Sequence, residues 1–240
     1  MKDEDKFQGQ ECNENMCSFE FPKQILMVVT NATRGQNGQR TGVWFEEFAI
    51  PYLAFLEEGY EVTVASPIGD AAPIDPASEN LINDVKWAQA KKVLNAPLRL
   101  DTVDYMVFDA LVLPGGHGPM MDLAKDETLG KIVNYFASQD KLIAAICHGP
   151  AGLLPAVKDG IAFVNGRRLT CFTNEEEICA HKQDLLPFYL EDALKTAGAF
   201  FIQEDVGVVN VVEDDNLITA QNFQSVKAFT DAIIKYLSAQ

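Results

Sequence analysis

Positive charge and histidine are scarce in this chain. It has 19 lysines and arginines against 35 aspartates and glutamates, a net charge of −16, and only three histidines. A surface so acidic excludes the electrostatics that draw a protein to nucleic acid or to an anionic membrane, and neither partner is expected. No run of about 18 consecutive apolar residues occurs, so no membrane-spanning helix is expected. The opening stretch Met1-Lys2-Asp3-Glu4-Asp5-Lys6 has no apolar segment behind its charges. A secretory signal is therefore not expected, and the cytoplasm is the expected location. Cysteine is present but unpaired in pattern: five residues, an odd number, at positions 12, 17, 147, 171 and 179. Irregular spacing and an odd count oppose a disulfide framework and favour free thiols in a reducing compartment. Cys12 and Cys17 lack the two further ligands that a metal site would need nearby. No metal and no cofactor is expected. Internal repeats and low-complexity segments are also missing.

What is present is ample core material. The 240 residues are 48% hydrophobic. Residues 1–22 form a polar N-terminal tail without periodicity, and 23–240 read as a single domain. Apolar runs predict strands at Gln24–Thr30, Glu61–Ser66, Asp109–Leu113, Lys141–Ile146, Leu169–Thr173, Val206–Val212 and Leu217–Ala220. Helices are expected from Gly42 to Glu58 with Thr41 as cap, within Val85–Val93, from Asp126 to Gln139, from Cys147 to Leu154, over Pro187–Ala197, and over Phe223–Leu237. Strands alternating with helices imply a mostly parallel sheet covered on both faces. Ligands of such sheets bind at the carboxyl ends of the strands, where the loops after Thr30, Leu113, Ile146 and Thr173 depart.

The most informative stretch is Leu142-Ile143-Ala144-Ala145-Ile146-Cys147-His148-Gly149-Pro150. A buried strand stops on a cysteine, the chain turns, and a helix is expected to begin. A side chain at such a turn is lifted above the sheet. A thiol beside a helix start and an imidazole would lose its proton more easily, so Cys147 reads as a nucleophile and His148 as its base. A third group must orient the imidazole. Asn174-Glu175-Glu176-Glu177 follows a strand end and offers three candidates. Gly115, Gly116 and His117 follow another strand, where backbone N–H groups can approach a bound oxygen. This loop lacks the Gly-Lys-Ser/Thr ending of a phosphate loop. Glu46 and Glu47 sit among Val43, Trp44, Phe45 and Phe48, so one of the two must lean inward, where its pKa would rise and it could move a proton.

These residues resemble the ThiJ/PfpI superfamily, related to class I glutamine amidotransferases, and its glyoxalase III and stress-chaperone branch in particular. The matching pieces are Thr41-Gly42-Val43-Trp44-Phe45-Glu46-Glu47, Leu113-Pro114-Gly115-Gly116-His117-Gly118, Ala145-Ile146-Cys147-His148-Gly149-Pro150, residues 170–177, and Leu217-Ile218-Thr219-Ala220-Gln221-Asn222. The resemblance implies a flavodoxin-like α/β fold, a mostly parallel sheet sandwiched by helices, with a cysteine nucleophile elbow. It implies Cys147 as nucleophile, His148 as partner, Glu47 rather than Glu46 as proton carrier, and Glu177 as third triad member. The N–H groups of Gly116 and His148 would form an oxyanion hole. The implied activity is glutathione-independent conversion of a small dicarbonyl, methylglyoxal, to lactate, with deglycase activity beside it and a homodimer as the assembly. A holdase chaperone or oxidative-stress sensor is the rival reading, and a cysteine peptidase a more distant one. An amidotransferase needs His-x-Glu after the nucleophile, whereas the only later histidine, His181, is followed by Lys182 and Gln183. Cys171 and Phe223 depart from the residues usual in that family.

Overall fold

The computed structural model describes residues 21–79 and 85–240. Cys12, Cys17 and nearly all of the expected tail lie outside the described residues. The strands are β1 (Gln24–Val28), β2 (Glu61–Ser66), β3 (Leu98–Arg99), β4 (Ala110–Leu113), β5 (Leu142–Ile146), β6 (Val157–Lys158), β7 (Ile161–Ala162), β8 (Arg168–Leu169), β9 (Phe200–Phe201), β10 (Val211–Asp214) and β11 (Leu217–Ala220). The α-helices are α1 (Phe45–Glu57), α2 (Ala88–Leu94), α3 (Glu127–Ser138), α4 (Asn174–Ala180), α5 (Leu190–Thr196) and α6 (Val226–Ser238). Seven strands make one sheet in the order β10-β11-β5-β4-β1-β2-β3. Every pairing in it is parallel except the β10–β11 hairpin.

Side chains alternate across a strand, so each central strand feeds two cores. Ile25 and Met27 face α1 and α6, where Phe45, Phe48, Phe55, Phe229 and Ile233 are fully buried. Leu26 and Val28 face the opposite layer with Leu129, Ile132, Val133 and Phe136 of α3. Burial on both faces is why these strands are unbroken apolar runs rather than alternating ones. The register then assembles a rim. Leu113 pairs with Ala145, and Ile146 with Ala220. Pro114, Cys147 and Gln221 therefore leave the sheet side by side.

Several boundaries differ from the sequence expectation. Thr41 caps no helix: its hydroxyl donates to Asp75 Oδ2 at 3.1 Å, and α1 starts only at Phe45. Residues 42–44 stay extended because their backbone is engaged by other loops: Val43 N–H donates to Pro73 O, Trp44 N–H to Gly115 O, and Gly42 O accepts Gly118 N–H. The α-helix expected after Cys147 is a 3-10 turn over Gly149–Leu153, with Pro150 near its start. Leu154 keeps helical dihedrals, but Pro155 after it has no N–H to donate, so the turn is not carried further. Leu169–Thr173 is not a strand of the main sheet: only Arg168–Leu169 pairs, with β9. Beyond it the chain crosses the sheet top, with Thr170 N–H donating to Thr219 Oγ1 and Phe172 N–H to Cys147 O. In the span expected to be a strand from Val206, pairing begins at Val211.

Candidate active site

Cys147 is the first residue beyond β5 and has φ +59°. This left-handed conformation costs a non-glycine residue about 1–3 kcal/mol and persists only where its surroundings enforce it. Here Cys147 N–H donates to Ala220 O at 2.8 Å, and Cys147 O accepts Phe172 N–H at 2.9 Å. Gly149 lets the following turn press onto β4, since a Cβ there would lie 2.0 Å from Leu113 O. The strained backbone lifts the thiol from the sheet to the floor of a pocket of about 140 Å³.

Two acid–base groups flank the sulfur. On one side His148, 1% exposed, brings Nδ1 to 3.2 Å from Cys147 Sγ. Its Nε2 lies 2.6 Å from Glu177 Oε1. An ionised carboxylate only accepts hydrogen bonds, so the proton sits on Nε2 and Nδ1 is left as an acceptor for the thiol. Burial works to raise the Glu177 carboxyl, but attraction to His148 and His117, which are protonated at the acid pH where Glu177 titrates, and their hydrogen bonds outweigh it and hold it at about 2. Burial and the neighbouring His117 push the His148 imidazole below its ordinary value. His148 is therefore a neutral base beside a fixed anion.

On the other side stands Glu47, fully buried. Its Oε2 accepts the Gly115 N–H at 3.0 Å, and the carboxyl hydrogen-bonds with the Cys147 thiol. Oε1 has no hydrogen-bond partner among the described residues. Burial raises Glu47 to about 8, against the pull of those two hydrogen bonds, so it is protonated at neutral pH. Gly115 makes this contact possible: a Cβ there would lie 2.6 Å from Glu47 Oε2 and 2.8 Å from Cys147 Cβ. Gly116, at φ +86°, aims its N–H at the sulfur.

These surroundings correct one expectation. The thiol was expected to be acidified by a helix start, but a five-residue 3-10 turn supplies no such dipole. Burial and the Glu47 charge instead push Cys147 up, opposed by the Gly116 N–H. The thiol therefore rests protonated at neutral pH, with His148 Nδ1 placed to accept its proton.

The three glutamates of α4 have separate fates. Glu175 is exposed. Glu176 forms a capping box with Thr173, and its Oε1 also binds Asn222 Nδ2 at 2.8 Å and Gly207 N–H at 3.2 Å. Glu177 alone reaches the imidazole. Glu46 turns away to Trp44 Nε1 at 3.3 Å. The nitrogens of His117 and His148 and a Glu177 oxygen lie within 4.8 Å of one another, a spacing that could surround a metal ion. Each imidazole Nε2 is instead committed to its own Glu177 oxygen, an arrangement that needs no ion.

A family model described as the DJ-1/PfpI family matches residues 41–236. The chain belongs to the DJ-1/PfpI family. The glutathione-independent glyoxalase hsp3101 of Schizosaccharomyces pombe is 29% identical over 227 residues, covering 83% of this chain and 88% of the relative. The human glutamine amidotransferase-like class 1 domain-containing protein 1 is 30% identical over 215 residues, covering 88% and 93%. Among solved structures, the Rapid Encystment Protein 24 kDa of Francisella tularensis gives a TM-score of 0.83 at 31% identity, covering 88% of this chain and 97% of that one. No helix among the described residues is long and apolar enough to cross a membrane.

Sequence reasoning missed the walls of this DJ-1/PfpI pocket. Trp44 and Phe223 stack at 5.1 Å, and Phe172 lies 4.9 Å from the His148 ring. All three line the cavity with Ala77, Ala180 and Lys182. Trp44 and Phe172 stand inside matching motifs, while Phe223 stands at a departure from the family pattern. The signal was present, but it carried no chemistry to single those residues out.

Proposed function

We propose that this protein is a cysteine-dependent, glutathione-independent glyoxalase that converts methylglyoxal to lactate. The observation that carries the reading is the pairing on one sulfur of a neutral imidazole, 3.2 Å away, with a buried carboxyl that is protonated at neutral pH. That pairing supplies one group to remove the thiol proton and another to protonate the carbonyl oxygen. The small apolar pocket above the sulfur excludes water from reactive intermediates. The name carried by the fission-yeast relative points the same way.

The residues can then be assigned steps in which every proton is accounted for. His148 Nδ1 takes the Cys147 proton as the sulfur bonds to the aldehyde carbon. Glu47 gives its proton to the aldehyde oxygen, and the product is a neutral hemithioacetal. Glu47, now a carboxylate, removes the hydrogen from the former aldehyde carbon. The electron pair forms a carbon–carbon double bond, and the ketone oxygen takes the proton from His148, giving an enediol. Glu47 returns the hydrogen to the second carbon while His148 takes the hydroxyl proton of the first, which becomes a thioester. Water, relieved of a proton by Glu47, attacks that thioester. The sulfur leaves with the proton held by His148, and lactic acid is released with all three residues as they began. The Gly116 N–H supports negative charge near the sulfur, and removal of one such donor typically costs on the order of 3 kcal/mol in the transition state.

The test is methylglyoxal consumption with D-lactate quantified, for the wild type and Cys147→Ser. Lactate from the wild type and none above background from the variant is the expected outcome. Equal turnover by both proteins ends the proposal.

A further inference from the structure

Glu177 is held from both sides. His148 Nε2 takes Oε1 at 2.6 Å, and His117 Nε2 takes Oε2 at 3.1 Å. The two imidazole rings lie against each other, centroids 4.1 Å apart and tilted by 39°. The His117 side chain is only 10% exposed, and Phe172 packs edge-on to it at 6.3 Å. We propose that His117 is a positioning residue: by donating to the Glu177 oxygen that His148 leaves free, it locks the carboxylate so that His148 keeps Nδ1 turned, unprotonated, to the Cys147 sulfur.

A carboxylate with a single partner can swing about its last bond, and the imidazole it orients swings with it. Two donors on its two oxygens fix its plane. The second donor also draws on the charge of Glu177, so His148 rests neutral and readily gives up, in the later steps, a proton taken from the thiol. His117 is not needed merely to shape its loop. That loop is already pinned by Gly118 N–H on Gly42 O, and Gly118 is so close to Thr30 that a Cβ there would lie 2.4 Å from its Cγ2. A filler at this place would not need a buried polar ring, whose desolvation must be matched by a hydrogen bond.

The groups that bear on the charge of His148 are Cys147, His117, Glu177 and Glu176, and His117 is the one that opposes a proton there apart from burial itself. Removing His117 should therefore make His148 easier to protonate. The inference rests on Cys147 acting as a nucleophile with His148 as its base, and not on the identity of the carbonyl compound.

The experiment measures the rate of Cys147 alkylation by iodoacetamide against pH in wild type, His117→Phe and His117→Gln, with thermal melting of each protein alongside. Phenylalanine keeps the ring and loses the donor, whereas the glutamine amide can place a nitrogen near the position of Nε2. His117→Phe should slow alkylation at pH 7 by about ten-fold, the usual scale for losing a group that orients an active-site ligand. Its acidic limb should move to higher pH by about one unit. His117→Gln should recover most of the rate. In the Glu177→Gln background, His117→Phe should cost nothing further, because its effect runs through that carboxylate. A wild-type rate and limb in His117→Phe, equal impairment of the Phe and Gln variants, or additive losses in the double variant would overturn the inference. Iodoacetamide is not a dicarbonyl, so absence of lactate from the wild type defeats the glyoxalase reading alone.

Discussion

Glu47 should make the protein less stable as pH rises, and replacing it should reverse the trend. Its folded pKa is about 8 against an ordinary 4.5, with burial as the cause. Below pH 4.5 both folded and unfolded chains carry the proton, and the residue is neutral to stability. Above 4.5 the unfolded chain releases the proton while the folded chain keeps it. The unfolded state then binds fewer protons, so stability falls with pH until about pH 8. At about 1.4 kcal/mol per unit the loss reaches on the order of 3 kcal/mol by pH 7. Glu47→Gln keeps the shape and an oxygen for the Gly115 N–H, and has no proton to lose. The variant should match the wild type near pH 4.5 and exceed it progressively up to pH 8, while losing turnover. Urea unfolding of both proteins at pH 5, 6, 7 and 8 measures the difference directly, with contributions common to both cancelling. A stability difference that stays flat across this range would falsify the reasoning, because it would mean that Glu47 does not titrate late.

The orienting glutamate should behave in the opposite sense. Glu177 is depressed to about 2, so its contribution is present above pH 4.5 and lost as pH falls toward 2. Glu177→Gln should therefore destabilise the protein at pH 7 by on the order of 3 kcal/mol, but much less at pH 3, as read by urea midpoints. It should lower turnover by about 10²–10⁴-fold, while the exposed Glu175→Gln stays near wild type in the same assay. Gly115→Ala would drive a methyl group to 2.7 Å from Ile146 O as well as against Glu47 and Cys147. Overpacking of this kind costs about 1–3 kcal/mol, and displacement of the carboxyl from the sulfur should cost about 10²-fold in turnover, a comparison of melting temperature with kcat that a wild-type kcat would contradict.

The parts of the fold that were legible are those where one physical signal dominates. Glu61–Ser66 and Leu217–Ala220 appear as their apolar runs and turn residues dictate, and α3 starts where Asp126 offers a side-chain cap to Leu129 N–H at 2.8 Å. Errors arose where tertiary hydrogen bonds outbid local propensity. Thr41 is an apt cap by chemistry, but Asp75 takes its hydroxyl and the loops at Pro73 and Gly115 take the backbone beyond it. Residues 170–173 have strand-like composition, yet their partners are the Thr219 side chain and the Cys147 carbonyl rather than a neighbouring strand. No window of local sequence contains these partners.

The site divides along the same line. Which residues meet was legible, because Cys147 and His148 follow a strand end of a parallel sheet, and the first turns of α1 and α4, which carry Glu47 and Glu177, close on the same rim. Which of them carries a proton was not, because charge state depends on burial and on neighbours distant in the chain. Glu46 and Glu47 are adjacent and chemically identical. One bonds the Trp44 indole, while the other is sealed under the sulfur and keeps its proton to about pH 8. Glu176 and Glu177 are likewise adjacent, one spent on capping α4 and holding Asn222, the other set between two imidazoles. In both pairs a rotation of one residue along a helix decides between structural acid and reactive acid. The proposed chemistry needs both outcomes together: a carboxyl kept neutral to donate a proton and a carboxylate kept charged to hold a base. Burial alone would protonate both glutamates. The two imidazoles beside Glu177, against only a thiol and an amide beside Glu47, are what drive the pair apart.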